Sequence, residues 1–183
     1  MELIDAVRRG NISKVRELLG NGIDVNTRDK EGRTALMNVV HVRQNYLEII
    51  RCLLEAGADV NMYNNYTNTL LIEACWYGCI DIVREILLNE NSRDKIDWKY
   101  KNGRGMMALN FAVDREHSEI VKYILYHVPP SKIYLHIDEL INNVTNGETR
   151  EILEKYRNLL NYTKVQHKLP DIQHVRDIIF SYF

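Results

Sequence analysis

Cys75 and Cys79 stand four residues apart on either side of Gly78, a spacing that could supply half of a tetrahedral thiolate site. Zinc would need two further ligands at a sensible spacing. His41, His117, His127, His136, His167 and His174 offer no HExxH pair and no other paired metal spacing. The cysteines therefore read as packing thiols, and no metal or other cofactor is expected. No glycine-rich phosphate loop, nucleophile elbow or catalytic carboxylate pair is visible. The side chains with recognisable chemistry are those of binding, with Trp76-Tyr77 just before Gly78 as the strongest pair. Trp, Tyr and Arg bury large area at modest entropy cost and dominate interface hot spots. The chain is expected to bind a partner and not to turn over a substrate.

The elements that would position these residues recur. Ile23-Asp24-Val25-Asn26 returns as Ala58-Asp59-Val60-Asn61, and Thr34-Ala35-Leu36 returns as Thr69-Leu70-Leu71, both at a step of 35. Two anchors moving by one interval mark an internal repeat, a unit that must stack on neighbours to bury its apolar face. Apolar spacings of three and four then give paired short helices. Leu3 to Val7 pairs with Val15 to Leu19, and Leu36 to Val40 with Leu47 to Leu54. Leu70 to Cys75 pairs with Ile80 to Leu88, and Leu109 to Ala112 with Ile120 to Leu125. Thr34 and Thr69 are set to cap first helices, and Gly57 to supply a left-handed helix end.

These units resemble ankyrin repeats. The family's T-P-L-H-x-A start is similar to Thr34-Ala35-Leu36, Thr69-Leu70-Leu71 and Met107-Ala108-Leu109, and its G-A-D-V-N closure stands at Gly57 to Asn61. The I-V-x-L-L run of the second helix resembles Ile49 to Leu54, Ile82 to Leu87 and Ile120 to Leu125. The resemblance implies an all-α solenoid of stacked helical hairpins over residues 1–127, in units of about 1–26, 27–61, 62–98 and 99–127. Residues 128–161 read as a degenerate capping repeat with helices at 133–144 and 148–160. Thr67 and Glu116 replace expected glycines, Arg43-Gln44 looks inserted, and the closure is lost in an irregular connector from Asn89 to Lys101. By the same resemblance, a protein target lies on a concave face of Arg33, His41, Tyr63, Tyr66, Asn68, Trp76, Tyr77, Arg104 and Arg115.

Residues 162–183 stand apart. Leu169-Pro170 opens an amphipathic helix that runs to the last residue, with proline at a start position where its missing N–H is harmless. This ending resembles the truncated F-box-like (PRANC) segment of poxvirus ankyrin proteins. Leu169, Pro170, Ile172, Val175, Ile178, Ile179 and Tyr182 would then dock on the Skp-type adaptor of a cullin ubiquitin ligase, which would make the chain a viral host-interaction factor. Two other readings stand beside it. The helix packs back on the cap, or the chain is a simple competitive binder of the kind that mimics inhibitors of NF-κB.

Bulk properties agree with a binding module. The 183 residues carry 24 Lys and Arg against 25 Asp and Glu, so nothing global calls for nucleic acid or an anionic membrane. An odd set of three cysteines, with neither an apolar span nor a secretory start, points to the cytoplasm, with the nucleus as a second location.

Overall fold

The computed structural model describes residues 2–129, 137–145 and 147–165, with side chains through 161. Ten α-helices lie among them: α1 (Glu2–Arg8), α2 (Ile12–Gly20), α3 (Ala35–Asn38), α4 (Tyr46–Glu55), α5 (Leu70–Tyr77), α6 (Ile80–Leu88), α7 (Ala108–Asp114), α8 (Ser118–His127), α9 (Ile137–Asn143) and α10 (Gly147–Val165). A 3₁₀ turn, Val39–His41, continues α3, and the described residues hold isolated β-bridges in place of strands. The chain divides into two compact units between Ala108 and Leu109.

In the first unit the hairpins α1–α2 and α5–α6 each pack on themselves, as does α4 on the α3 turn. The first helices α1, α3 and α5 stack in one row, and α2, α4 and α6 in another. The seam between rows is apolar: Val7, Val15, Leu36, Ile49, Ile50, Leu53, Ile72, Ala74 and Val83 are all fully or almost fully buried. Each of the Val, Leu and Ile side chains contributes roughly 1.5–3 kcal/mol relative to exposure.

Local chemistry sets where the helices begin and end. The Thr34 and Thr69 hydroxyls accept from the N–H groups of Met37 and Ile72 at 3.3 and 3.4 Å, as the sequence leads one to expect. Gly57, at φ 86°, ends α4: its own N–H reaches Leu54 O at 3.1 Å, and that of Ala58 reaches Leu53 O at 2.9 Å. The turn inside each hairpin also needs a left-handed residue. Gly10 and Gly78 supply it in the first and third repeats, but Asn45 and Glu116 do so in the second and fourth, each at φ 58°. Asn tolerates that region; Glu at such a position is strained by about 1–2 kcal/mol. The inserted Arg43-Gln44 lies in an exposed loop before Asn45, whose side-chain amide donates to Gly10 O at 3.0 Å.

What joins one repeat to the next is the asparagine of the closure. Asn26 accepts from the N–H of Asp59 at 2.9 Å and points its amide at Gly57 O, 3.5 Å away. Asn61 repeats this one unit on, accepting from the N–H of Asp97 at 2.9 Å and donating to Lys95 O at 2.7 Å. Of the closure lost from the sequence between Asn89 and Lys101, the aspartate turn survives at Asp97, whose carboxylate accepts from the N–H of Lys99 just as Asp24 and Asp59 serve Asn26 and Asn61. An extra turn hides it from the sequence, held by buried Ser92 donating to Ile86 O at 2.7 Å. The glycine, valine and asparagine around it are gone, replaced by Lys95, Trp98 and Lys99. Lysine has three donors and no acceptor, so it cannot make the same two-way link.

The second unit holds α7 to α10. Helix α8 packs on α10, and α9 on α10, around Phe111, Ile124, Leu125, Leu140, Ile152 and Leu153. Ser118 Oγ donates to Glu148 at 2.8 Å and Thr145 Oγ1 to Glu116 at 2.7 Å, so the fourth hairpin groups with the helices read as a cap. Helix α10 runs past Leu160 to Val165. The first part of the helix read at 133–144 lies outside the described residues.

Replacing Asn61 with Ala removes both of its inter-repeat hydrogen bonds and is expected to cost about 1–2 kcal/mol in urea unfolding. An unchanged midpoint would show the link to be idle. Glu116→Gly relieves the left-handed strain at the expense of one exposed hydrogen bond and some chain entropy. It should raise stability by about 0.5–1 kcal/mol, on the order of 2 °C in thermal melts.

Candidate binding face

Among the described residues, three finger loops lie between repeats, at 28–33, 63–68 and 101–106. Each is organised by one side chain. Asp29 accepts from the N–H groups of Glu31 and Arg33, Asn64 from those of Tyr66 and Asn68, and Asn102 from those of Arg104 and Met106, all at 2.8–3.2 Å. The same residues pair backbone to backbone with Arg33, Asn68 and Met106. An oxygen-bearing side chain that closes a turn on its own backbone explains Asp or Asn there. The signal was available: each lies five residues before Thr34, Thr69 or Met107, and five after Asp24, Asp59 or Asp97.

The fingers are bonded to one another. Asn65 donates its backbone N–H to Glu31 O at 2.9 Å and its side chain to Lys30 O at 3.0 Å. It comes so close to Gly32, itself at φ 73°, that a Cβ there would sit 2.4 Å from Asn65 Oδ1 and 3.0 Å from its backbone nitrogen. Thr67 takes the left-handed position that glycine holds in the other two fingers, at φ 61°. Its Oγ1 accepts from Gly103 N–H at 2.5 Å and its carbonyl from the Tyr100 hydroxyl at 2.9 Å, which offsets the strain of a β-branched residue there.

The residues assigned to the target face divide by what they touch. Tyr66 stands 70% exposed at the middle fingertip, and Arg104 is exposed at the equivalent tip of the third finger. Tyr63 is 46% exposed, with the Arg28 guanidinium 5.4 Å from its ring centre and the Tyr100 ring stacked at 6.0 Å. Arg28 also donates to Tyr63 O. This ladder, from two fingers to the residue just before the third, is not legible in the sequence, because Tyr100 lies one position out of register with Arg28 and Tyr63. His41 meets Tyr77 edge to face at 5.5 Å; Tyr77 is 51% exposed, and its neighbour Trp76 is half-buried. Asn68 is spent internally, donating to Glu73 at 3.1 Å and accepting from Asn102 at 2.8 Å. Arg33 is half-buried at the end of the first finger, and Arg115 is exposed at the end of α7 in the second unit. Leu169, Pro170, Ile172, Val175, Ile178, Ile179 and Tyr182 lie outside the described residues.

Buried polar groups tie fingers to first helices. Glu73, 8% exposed in α5, accepts from the amides of both Asn64 and Asn68. Arg8 bridges Asp29 at 2.6 Å and Asn38 at 2.9 Å. His41 lies within electrostatic reach of Arg33, Glu73 and Arg8; partial burial and then the Arg33 charge hold it below the ordinary histidine range, against the pull of Glu73. Cys75 is fully buried and Cys79 half-buried, and burial pushes both thiols up, Cys79 with help from Asp81. Cys79 lines a cleft of about 250 Å³ with Val39, Val42, Tyr46 and Ile80. Among the described residues, no three His, Cys, Asp or Glu side chains gather as metal ligands would. No described helix is long and apolar enough to cross a membrane.

Residues 3–97 match the family model for ankyrin repeats, in three copies. The chain belongs to the ankyrin repeat family. An ankyrin-repeat solenoid of helical hairpins is the fold that the sequence pattern implies, and protein–protein interaction is the role the repeats support. YahD of Escherichia coli (strain K12), named as an ankyrin repeat protein, is 30% identical over 122 residues, covering 67% of this chain and 57% of that one. An Oryza sativa subsp. japonica protein named as a probable E3 ubiquitin-protein ligase, XBOS32, is 30% identical over 134 residues, covering 70% of this chain and 25% of its own. The mitochondrial disaggregase of Bos taurus is 31% identical over 126 residues, covering 67% of this chain and 18% of its own. This chain thus spans less than two thirds of each. The two relatives named for an activity are matched over a quarter of their length or less.

The His41 environment makes a signed prediction. Its imidazole should titrate below the ordinary histidine range by NMR, and Arg33→Ala should move the midpoint back up. Because the folded midpoint is depressed, the unfolded chain takes up the proton first on acidification. This residue's contribution to stability is therefore lost as pH falls through the ordinary histidine range, and the loss levels off below the depressed midpoint.

Proposed function

We propose that this ankyrin protein is a non-catalytic adaptor that holds a protein target on the fingers and first-helix ends of residues 1–108. Arg33, His41, Tyr63, Tyr66, Trp76, Tyr77 and Arg104 carry the contact. Asn68 acts by bracing the middle finger. The observation that carries this reading is the exposure of Tyr63, Tyr66 and Tyr77, large amphipathic rings presented by a hydrogen-bonded scaffold. The second half of the proposal is recruitment. Leu169, Pro170, Ile172, Val175, Ile178, Ile179 and Tyr182 engage a Skp-type adaptor of a cullin ubiquitin ligase, as an apolar helix seated in a groove. Support comes from the likeness of Leu169-Pro170 and its apolar sequel to the F-box-like ending of poxvirus ankyrin proteins. A ubiquitin-ligase name on a longer relative agrees with it. In this reading the chain works in a host cell's cytoplasm and directs a host protein to ubiquitination.

Two measurements test the halves separately. The full chain should retain a purified Skp-type adaptor, Tyr77→Ala should retain it equally, and deletion of residues 169–183 should abolish it. Adaptor retention that survives the deletion would sink recruitment. A photo-reactive residue at position 77 should crosslink a cellular protein, while one at exposed Glu55 on α4 should not. Equal crosslinking from both positions would sink the target face.

A further inference from the structure

The finger loops concentrate positive charge in a chain whose formal net charge is −1. Positions 28–33, 63–68 and 101–106 hold Arg28, Lys30, Arg33, Lys101 and Arg104 against only Asp29 and Glu31. Asp29 is not available to balance them, because its side chain is 4% exposed and ion-paired to Arg8 at 2.6 Å. Lys30, Lys101 and Arg104 are exposed, and none of them is ion-paired to a described residue. Between the cationic first and third fingers the middle finger is uncharged and presents Tyr66. The result is a cationic strip with an amphipathic ring at its centre.

We propose that this strip binds an acidic, extended segment of a partner protein, with Asp or Glu side chains on Lys30, Lys101 and Arg104 and an apolar side chain against Tyr66. The inference rests on the target-face reading above and names the partner's chemistry. Inter-finger bonds from Asn65, Thr67, Tyr100 and Asn102 hold the strip in place before any ligand arrives, so little ordering cost falls on binding. Focused charge of one sign attracts the opposite charge and speeds encounter. A single-stranded nucleic acid would also meet the charge, but it needs free ring faces on which bases stack. Tyr63 is already engaged by Arg28 of the first finger and by Tyr100 just before the third, which leaves Tyr66 as the free ring face of the strip.

The test uses the full chain and two labelled probes, a glutamate-rich peptide with one central leucine and a single-stranded oligouridine, compared by fluorescence anisotropy. The peptide should bind more tightly, and its affinity should fall roughly tenfold between about 0.05 and 0.3 M salt. Lys30→Ala with Arg104→Ala should weaken it at least about tenfold at low salt with unchanged circular dichroism, because neither side chain supports the fold; Lys14→Ala on α2 should leave it unchanged. Tighter binding of the oligouridine, or peptide binding indifferent to the double variant, would overturn the proposal. Crosslinking from position 77 without affinity for the peptide would overturn the acidic class while leaving the target face standing.

Discussion

The asparagine that closes a repeat is the joint on which the first unit depends. At Asn26 and Asn61 one side chain accepts from a backbone N–H of the next repeat and points its amide at a carbonyl there. Apolar contact between helix rows supplies most of the stabilisation but has no direction, and alone it would allow one hairpin to slide on the next. A paired amide link fixes the register. Once it is fixed, the fingers arrive opposite one another, so Asn65 can reach Lys30 O and Asn102 can reach Asn68. The finger surface is a by-product of correct stacking.

That hierarchy explains which polar residues are buried and why. Asn38, Asn64, Glu73 and Asn102 would each be costly in a core if unpaired. Each instead joins a finger base to a first helix or to the next finger, where its donors and acceptors are matched. The outer helices carry a looser version of the same device. Arg16–Glu48 and the two-pronged Arg51–Glu85 pair also link successive repeats, but both arginines stand in solvent, which screens the attraction.

Elements governed by local chemistry were legible in the sequence: the threonine caps, the Gly57 helix end, the hairpin pairing and the strained substitutes Thr67 and Glu116. Asp97 was not, since the extra turn at Asn89–Asp94 displaces it from the 35-residue step seen in the first two closures. The repeat pattern puts Asn68 on the target face because nothing in the sequence says that Glu73 is buried and close enough to use its amide. The Arg28–Tyr63–Tyr100 ladder depends on side chains out of register with one another. Such contacts arise from how repeats stack, and spacing within one repeat carries no trace of them.

The closeness of neighbouring fingers has a consequence for how such chains diversify. Asn65 occupies the space that any side chain at Gly32 would need, and Thr67 receives the backbone of Gly103. Complementary halves of each finger junction therefore sit in different repeats. A recombination that exchanged one whole repeat would break the fit at both of its borders. One that cut within the helices, and carried two facing fingers together, would inherit a matched pair. The heritable module of this surface is the junction, offset by half a period from the repeat that the sequence displays.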